Sequence, residues 1–102
     1  MRFDWDDAKF AINLAKHGLA FDLVGELFAA PVLVREDSRF DYGETRWVAT
    51  GVVQRRHLVC VNNDRWIGGV PVRWIIRLRP AKRRERSAYD DWARGADPQG
   101  HE

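Results

Sequence analysis

The side chains of this sequence that could take part in chemistry are mostly cationic. Between Arg73 and Arg86, seven Arg or Lys residues stand against the single acid Glu85, a local charge of +6. The chain as a whole carries +2, so the remainder sums to −4. Fourteen of the seventeen cations are Arg, whose planar fork suits phosphate or carboxylate. The stripe indicates a polyanionic partner, although a solvated face paired with acids elsewhere accounts for it equally well.

Several kinds of catalytic site are excluded by motif. The sequence has no GxGxxG, GxxxxGK[ST] or HExxH pattern, and its single Cys and three separated His show no zinc spacing. Asp4, Asp6 and Asp7 favour a helix cap over a magnesium site. Cys60 lies in an apolar run and is interpreted as a buried hydrophobe rather than a nucleophile. We therefore expect neither a metal nor an organic cofactor.

The remaining set of Arg, Lys, His, Tyr and one well-placed Glu matches metal-free cleavage of RNA. In that reaction the 2′-OH is deprotonated and attacks the adjacent phosphate. Cationic side chains stabilise the charge that builds up, and another group protonates the leaving 5′-oxygen. The substrate supplies its own nucleophile.

Two pairs of residues are candidates for proton transfer and phosphate contact. Lys16 and His17 fall in the last turn of a predicted helix, where they could equally serve to offset its dipole. His17 titrates near neutrality and is a natural acid or base. Glu44 and Arg46 are two residues apart on a predicted strand and share a face, as a base and phosphate clamp or as a structural pair.

Arginines of the last strand and the helix after it are predicted to bind RNA. Arg73, Arg77 and Arg79 alternate along that strand and are expected on one face, which favours phosphate binding. Arg83 follows Arg79 by one turn and is expected to complete the clamp, and Lys82 adds charge beside it.

Two aromatic side chains could contact bases or a partner. Tyr42 lies in a polar turn and is predicted to stack on a base. Trp66, beside Gly68-Gly69, is expected to be exposed for stacking or partner docking. The tryptophans at 47, 74 and 92 are assigned to the core.

These residues depend on an α+β arrangement of a strand, two helices, four strands and a final helix. Phe3 and Trp5 indicate the opening strand, and Asp6 and Gly18 bracket a helix over residues 7–17 with Phe10 and Leu14 on its apolar face. A second helix is predicted over residues 21–29. The strands are predicted at 32–36, 46–52, 57–61 and 72–79, with a loop at 62–65, and the final helix runs from Pro80 to about Arg94. The four strands are expected to form a mainly antiparallel sheet.

Length and composition indicate one domain in an aqueous compartment. At 102 residues, 45% of them hydrophobic, the chain can build a single core, which we place at residues 3–94, followed by a flexible tail at 95–102. No apolar stretch is long enough to span a membrane, and the acidic N-terminus is unlike a secretory signal. A single Cys cannot form an intrachain disulfide, and together these features indicate the cytoplasm.

Four segments, taken in order, resemble the BrnT family of type II toxins. The opening F-x-W-D-x-x-K pattern is matched by residues 3–9, and residues 13–21 resemble the N-x-x-K-H-G-[VI]-x-F signature, with Leu19 at the Val or Ile position. The Y-G-E-x-R segment is matched by Tyr42-Gly43-Glu44-Thr45-Arg46. The ending I-I-S-x-R-x-A-x-[KR]-R-E-R is similar to residues 75–86, with Arg77 in place of Ser, Pro80 in place of a common Lys, and Lys82 in place of a helix-capping Thr.

The resemblance implies a RelE-like fold and a ribonuclease toxin acting on RNA. It also implies a BrnA-like antitoxin as partner in a hetero-oligomer, with operator DNA bound only indirectly through that antitoxin. The basic residues alone leave two alternatives: a non-catalytic module that binds nucleic acid or the acidic surface of an antitoxin, and a DNA-binding regulator acting alone. No helix-turn-helix spacing supports the latter.

Overall fold

The computed structural model describes residues 1–39, 41 and 43–95, and it confirms an α+β fold. Among these residues no helix has the length and apolar character needed to cross a membrane. The predicted tail, apart from Gly95, lies outside the described residues. The elements in chain order are β1 (Arg2–Trp5), α1 (Asp7–His17), a 3₁₀ turn (Phe21–Leu23), α2 (Val24–Ala29), β2 (Leu33–Glu36), β3 (Trp47–Val53), β4 (Arg56–Ile67), β5 (Val70–Pro80) and α3 (Arg83–Arg94).

The sheet is mixed and has five strands in the order β1-β5-β4-β3-β2. Strand β1 runs parallel to β5, from Arg2 opposite Val72 to Trp5 opposite Ile75, and every other pairing is antiparallel. The prediction of a four-stranded sheet was wrong because β1 joins the sheet as an edge. Its partner lies some 70 residues away in sequence, and no local pattern identifies such a partner.

The β4–β5 hairpin is longer than the sequence predicted. Residues 62–65, expected as a loop, belong to β4, and the chain reverses at Gly68 and Gly69, whose φ values are +58° and +76°. Asn62 and Asn63 are polar but buried, and the Asn62 amide donates to the carbonyl of Cys60. The final helix begins at Arg83, since Pro80 still pairs with Leu58 at the end of β5.

The main core lies between the sheet and the first two helices, on the side that we call the helix face. Its fully buried members include Phe21, Leu27, Leu58 and Leu78. A Cβ at Gly51 of β3 would lie 2.7 Å from a Leu27 methyl group and 3.0 Å from a Val32 methyl group, so a larger residue here would require those core side chains to shift.

The other side of the sheet, which we call the open face, is covered in part by α3. Ala81, just before α3, packs there against Val48, Val59 and Val61. Within α3 itself no residue is fully buried, and His57 Nε2 lies 2.7 Å from Asp90 Oδ1, which joins the helix to β4. Much of the helix therefore rests on the sheet through polar contacts.

A β-bulge in β5 decides which face each arginine occupies. Val61 pairs with Arg77 while the next residue, Asn62, pairs with Ile75, so Ile76 is an extra residue in β5. The prediction that Arg73, Arg77 and Arg79 share a face was wrong for this reason. Arg77 and Arg79 pair with open-face residues of β4, whereas Arg73 lies on the helix face, 4.7 Å above the Phe28 ring.

Helix α1 is fastened to the sheet by a buried asparagine. The Asn13 amide donates to the carbonyl oxygens of Leu78 (2.8 Å) and Leu19 (3.0 Å), and its oxygen accepts from the Leu78 N–H at 3.1 Å. Asn13 thereby occupies the edge of β5 beyond the end of β1. Leu14, predicted on the apolar face, is 43% exposed, so that prediction was wrong, whereas Phe10 does pack against the core.

Candidate functional site

A cleft of about 220 Å³ opens where α1 passes the free edge of β5. It brings four cations and an imidazole together, and the described residues that line it include no carboxylate. We call it the basic cleft. Its lining is Lys9, Ile12, Asn13, Lys16, His17, Arg46, Ile76 and Arg77.

Helix α1 supplies two of the cations of the basic cleft, and it is capped at both ends. Lys9 and Lys16 are seven residues apart, two helical turns, and so lie on one face. The Asp6 carboxylate accepts from the backbone N–H of Ala8 at 2.8 Å, which confirms its capping role. Gly18, at φ +68°, ends the helix just after His17 and donates to the Leu14 carbonyl.

The imidazole of His17 lies in a strongly positive environment. Partial burial lowers its pKa below the usual 6.5, and the nearby charges of Lys16, Arg77 and Arg79 lower that pKa further. The ring is therefore neutral at pH 7 and can accept a proton. A neutral base among cations is suited to a reaction in which a hydroxyl loses a proton next to a phosphate.

A second cleft, of about 230 Å³, adjoins the basic cleft and shares Lys9, Arg46 and Ile76 with it. We call it the mixed cleft because it also contains two carboxylates. Glu44 accepts from Arg46 Nε at 3.3 Å and lies 3.5 Å from Arg65 Nη2. The full lining of the mixed cleft is Asp6, Lys9, Glu44, Arg46, Arg65, Trp74, Ile75 and Ile76.

Arg79, a predicted phosphate ligand, is engaged in an ion pair. Its two terminal nitrogens donate to the two oxygens of Glu85 at 2.7 and 2.8 Å. Glu85 also accepts from the backbone N–H of Lys82, at the start of α3. Hydrogen bonding to Arg79 is the main reason that the pKa of Glu85 falls to about 2. Arg79 therefore joins β5 to α3, and a phosphate would have to compete with Glu85 for it.

The other predicted residues lie outside the two clefts. Arg83 and Lys82 are exposed at the start of α3. Arg73 is separated from the open face by the bulge and lies 3.6 Å from Asp64 on the helix face, so the prediction that it joins Arg77 was wrong. Tyr42 lies outside the described residues.

Sequence reasoning missed several residues of the clefts, among them Lys9, Arg65 and Trp74. Lys9 could have been found, since its two-turn spacing from Lys16 places both on one side of α1. Arg65 was assigned to a loop and Trp74 to the core. In the structure the Arg65 guanidinium carbon lies 4.5 Å above the Trp74 ring, a contact across the β4–β5 pair that no local spacing reveals.

Two further features bear on the chemistry. Cys60 is fully buried, and burial raises the pKa of its thiol to about 12, which confirms it as a hydrophobe rather than a nucleophile. Within the described part of the chain no three His, Cys, Asp or Glu side chains are grouped so that they could hold a metal.

A third cleft, of about 220 Å³, lies on the helix face. It is mainly apolar, with Phe28, Val32 and Trp47 in its lining, and its one cation, Arg73, faces Asp64. Because it gathers no group of cations, it does not suit a phosphate, and the basic cleft remains the candidate site.

A small α+β domain with a cation-lined cleft and a neutral histidine has the features of a protein that acts on a polyanion. A family model describing BrnT, the ribonuclease toxin of type II toxin–antitoxin systems, matches residues 5–85. The chain belongs to this family of ribonuclease toxins, as its four sequence motifs predicted. A search of curated proteins finds no match.

Proposed function

We propose that the chain is a metal-independent endoribonuclease toxin and that RNA is cut in the basic cleft. The observation that carries this proposal is the meeting of Lys16, His17, Arg46 and Arg77 in one cleft. These residues come from α1, from the segment before β3 and from β5, so the fold assembles them. The RelE-like classification implied by the resemblance is part of the same proposal.

In the proposed reaction the scissile phosphate lies between Arg46 and Arg77, whose guanidinium groups stabilise the charge that develops on the pentavalent phosphorus. Neutral His17 takes the proton of the 2′-OH, and the O2′–P bond forms as the P–O5′ bond breaks. The ammonium group of Lys16 protonates the departing 5′-oxygen. The products are a 2′,3′-cyclic phosphate and a 5′-hydroxyl, and no metal takes part.

The remaining predicted residues receive supporting roles in this proposal. Glu44 orients Arg46 through their hydrogen bond. Arg79 adds to the positive field at His17 and holds α3 through Glu85. Arg83 and Lys82 contact phosphates that flank the cut, as exposed cations at the end of the open face.

A type II toxin works together with an antitoxin, and we propose a BrnA-like protein as that partner. It would cover the basic cleft, keep the toxin inactive in a cytoplasmic hetero-oligomer, and provide the contacts to operator DNA. The excess of cations in the basic cleft suits an acidic segment of such a partner.

The test is incubation of the purified chain with RNA in EDTA, with and without ribosomes. Cleavage should persist in EDTA and leave 2′,3′-cyclic phosphate ends. The Lys16→Ala, Arg77→Ala double variant should cut at least 100-fold more slowly, because it loses both the proton donor and a phosphate ligand.

The matched control is Arg55→Ala, Arg56→Ala, which removes the same number of charges at the β3–β4 turn, where neither side chain lines the basic or the mixed cleft. It should cut at the normal rate. Loss of cleavage in EDTA that magnesium restores would contradict the mechanism. RNA binding without any cyclic phosphate product would show a non-catalytic binding module.

A further inference from the structure

Beside the proposed reaction site, the mixed cleft has a different chemistry. We infer that it holds a nucleobase of the nucleotide next to the scissile phosphate and that it selects guanine over uracil. The inference rests on the proposed function, since it assigns substrate preference to the same enzyme. Three observations carry it: a fixed planar cation, a pair of carboxylates, and the walls shared with the basic cleft.

The planar cation is Arg65, whose guanidinium is contacted on one face and along its edges. Its guanidinium lies 4.5 Å above the Trp74 ring, its Nε donates to Asn63 Oδ1 at 3.2 Å, and Glu44 lies beside its Nη2. The side chain nevertheless remains 38% exposed. Nucleobases stack on guanidinium planes as they do on aromatic rings. Arg65 therefore offers a ready stacking surface, with no further ordering needed on binding.

The carboxylates of Asp6 and Glu44 set the hydrogen-bonding preference of this cleft. Ionised carboxylates only accept hydrogen bonds, and each has about four lone-pair positions. The contacts of Glu44 with Arg46 and Arg65 leave positions open. The Watson–Crick edge of guanine presents two adjacent donors, N1–H and N2–H₂, that a carboxylate can accept together. The edge of uracil places carbonyl oxygens on both sides of its single N–H, and a carboxylate repels them.

The position of the mixed cleft relates the base to the cut. Lys9 and Arg46 line both clefts, so a base in one and a phosphate in the other are neighbours along a strand. The basic cleft has only cations and an imidazole among its titratable lining residues, and of these two clefts only the mixed cleft is lined by carboxylates. In this inference the phosphate binds to the cations of the basic cleft, and the base binds to Arg65 and the carboxylates of the mixed cleft.

The experiment measures cleavage of short RNAs that carry each of the sixteen dinucleotide steps at one site. On one side of the cut, RNA carrying guanine should be cleaved about tenfold faster than RNA carrying uracil, which is the discrimination typical of one bidentate hydrogen-bonded pair. Glu44→Gln should reduce this ratio to near one, because its amide presents donors to the donor edge of guanine. Because Glu44 also orients Arg46, cleavage beside uracil should slow as well, and the readout is the guanine-to-uracil ratio rather than either rate alone. Glu26→Gln, a carboxylate on α2 that lines neither cleft, should keep the wild-type ratio.

A second measurement separates the two proposals. Guanosine and uridine monophosphates are titrated against the wild-type chain and an Arg65→Ala variant, with binding followed by calorimetry. Tighter binding of the guanosine nucleotide, lost in Arg65→Ala, would support the base site even if no RNA were cut. Equal cleavage at all sixteen steps, equal binding of both nucleotides, or an unchanged guanine-to-uracil ratio in Glu44→Gln would overturn it. Equal cleavage with cyclic phosphate ends would leave the proposed ribonuclease standing.

Discussion

At His17, burial and three neighbouring cations all act in the same direction on the imidazole. Each favours the neutral ring, and together they lower its pKa below 6.5. Arg77, one of the two proposed phosphate ligands, is therefore also one of the cations that keep the proposed base unprotonated. A bound phosphate brings negative charge to the cleft and opposes this effect, so proton uptake by His17 becomes easier once RNA is bound.

We expect the pH profile of cleavage to show this dependence. The rate constant kcat/KM, which reports the free enzyme, should rise with pH through a midpoint below 6.5. The corresponding limb of kcat, which reports the complex, should lie at higher pH. The His17→Gln variant should cleave RNA more slowly, by roughly 100-fold or more, and its rate should no longer rise with pH in this range.

His57→Gln is the control for this profile, since His57 lies against Asp90 of α3 and lines neither cleft. It should keep both limbs. A kcat/KM midpoint above 6.5, or a limb that survives in His17→Gln, would remove His17 from the reaction. Stability gives an independent check. Because the folded pKa is the lower one, wild type should lose stability relative to His17→Gln as pH falls below 6.5.

Among the elements, α1 holds the largest share of the basic cleft, and the Asn13 side chain hydrogen-bonds it to β5. Asn13 makes three hydrogen bonds, two of them to the backbone of Leu78. These bonds replace the strand pairing that β5 lacks beyond the end of β1. They fix the distance between the α1 cations and those of β5.

Replacing Asn13 by Ala should lower the free energy of unfolding by about 3 kcal/mol, because the buried N–H and C=O of Leu78 lose their partners. Urea denaturation measures the change. Leu14→Ala, the next residue on the same helix and 43% exposed, should cost less than about 1 kcal/mol. Similar losses for the two variants would show that the amide does not fasten α1 to the sheet.

The elements also show which parts of the fold local sequence determines. The bounds of α1 were predicted correctly because Asp6 and Gly18, which cap it, are its neighbours in the chain. The extent of β4 was missed because Asn62 and Asn63 are typical of a loop, while their burial in this strand depends on tertiary contacts. Lys16, His17, Arg46 and Arg77 were named in advance from residue type. Arg65 was not, since only the pairing of β4 with β5 brings it to the cleft.

At the scale of the whole molecule, the bulge at Ile76 places the arginines of β5 on two different faces of the sheet. Arg77 and Arg79 lie on the open face, and Arg73 lies on the helix face. Counting charges along β5 therefore overstates how many can meet a single RNA strand. The salt dependence of RNA binding reports the number of phosphate contacts, so it can show which face of the sheet the RNA contacts.

For single-stranded RNA, each phosphate contact contributes about 0.7 to the slope of log K against log salt concentration. Arg77→Ala should therefore reduce the slope by about 0.7, measured by fluorescence anisotropy from low to physiological salt. Arg73→Ala, which removes the same charge from the same strand, should leave the slope unchanged. Equal reductions in the two variants would mean that RNA contacts both faces.

The extra residue in β5 also governs how this chain can be compared with its relatives. A homologue that kept this arginine spacing in a strand without the bulge would carry the earlier arginine on the same face as the later ones. An alignment judged by residue spacing alone would therefore assign Arg73 and Arg77 equivalent roles, although they lie on opposite sides of this sheet. Transfer of site residues across the family should therefore follow strand pairing rather than residue count.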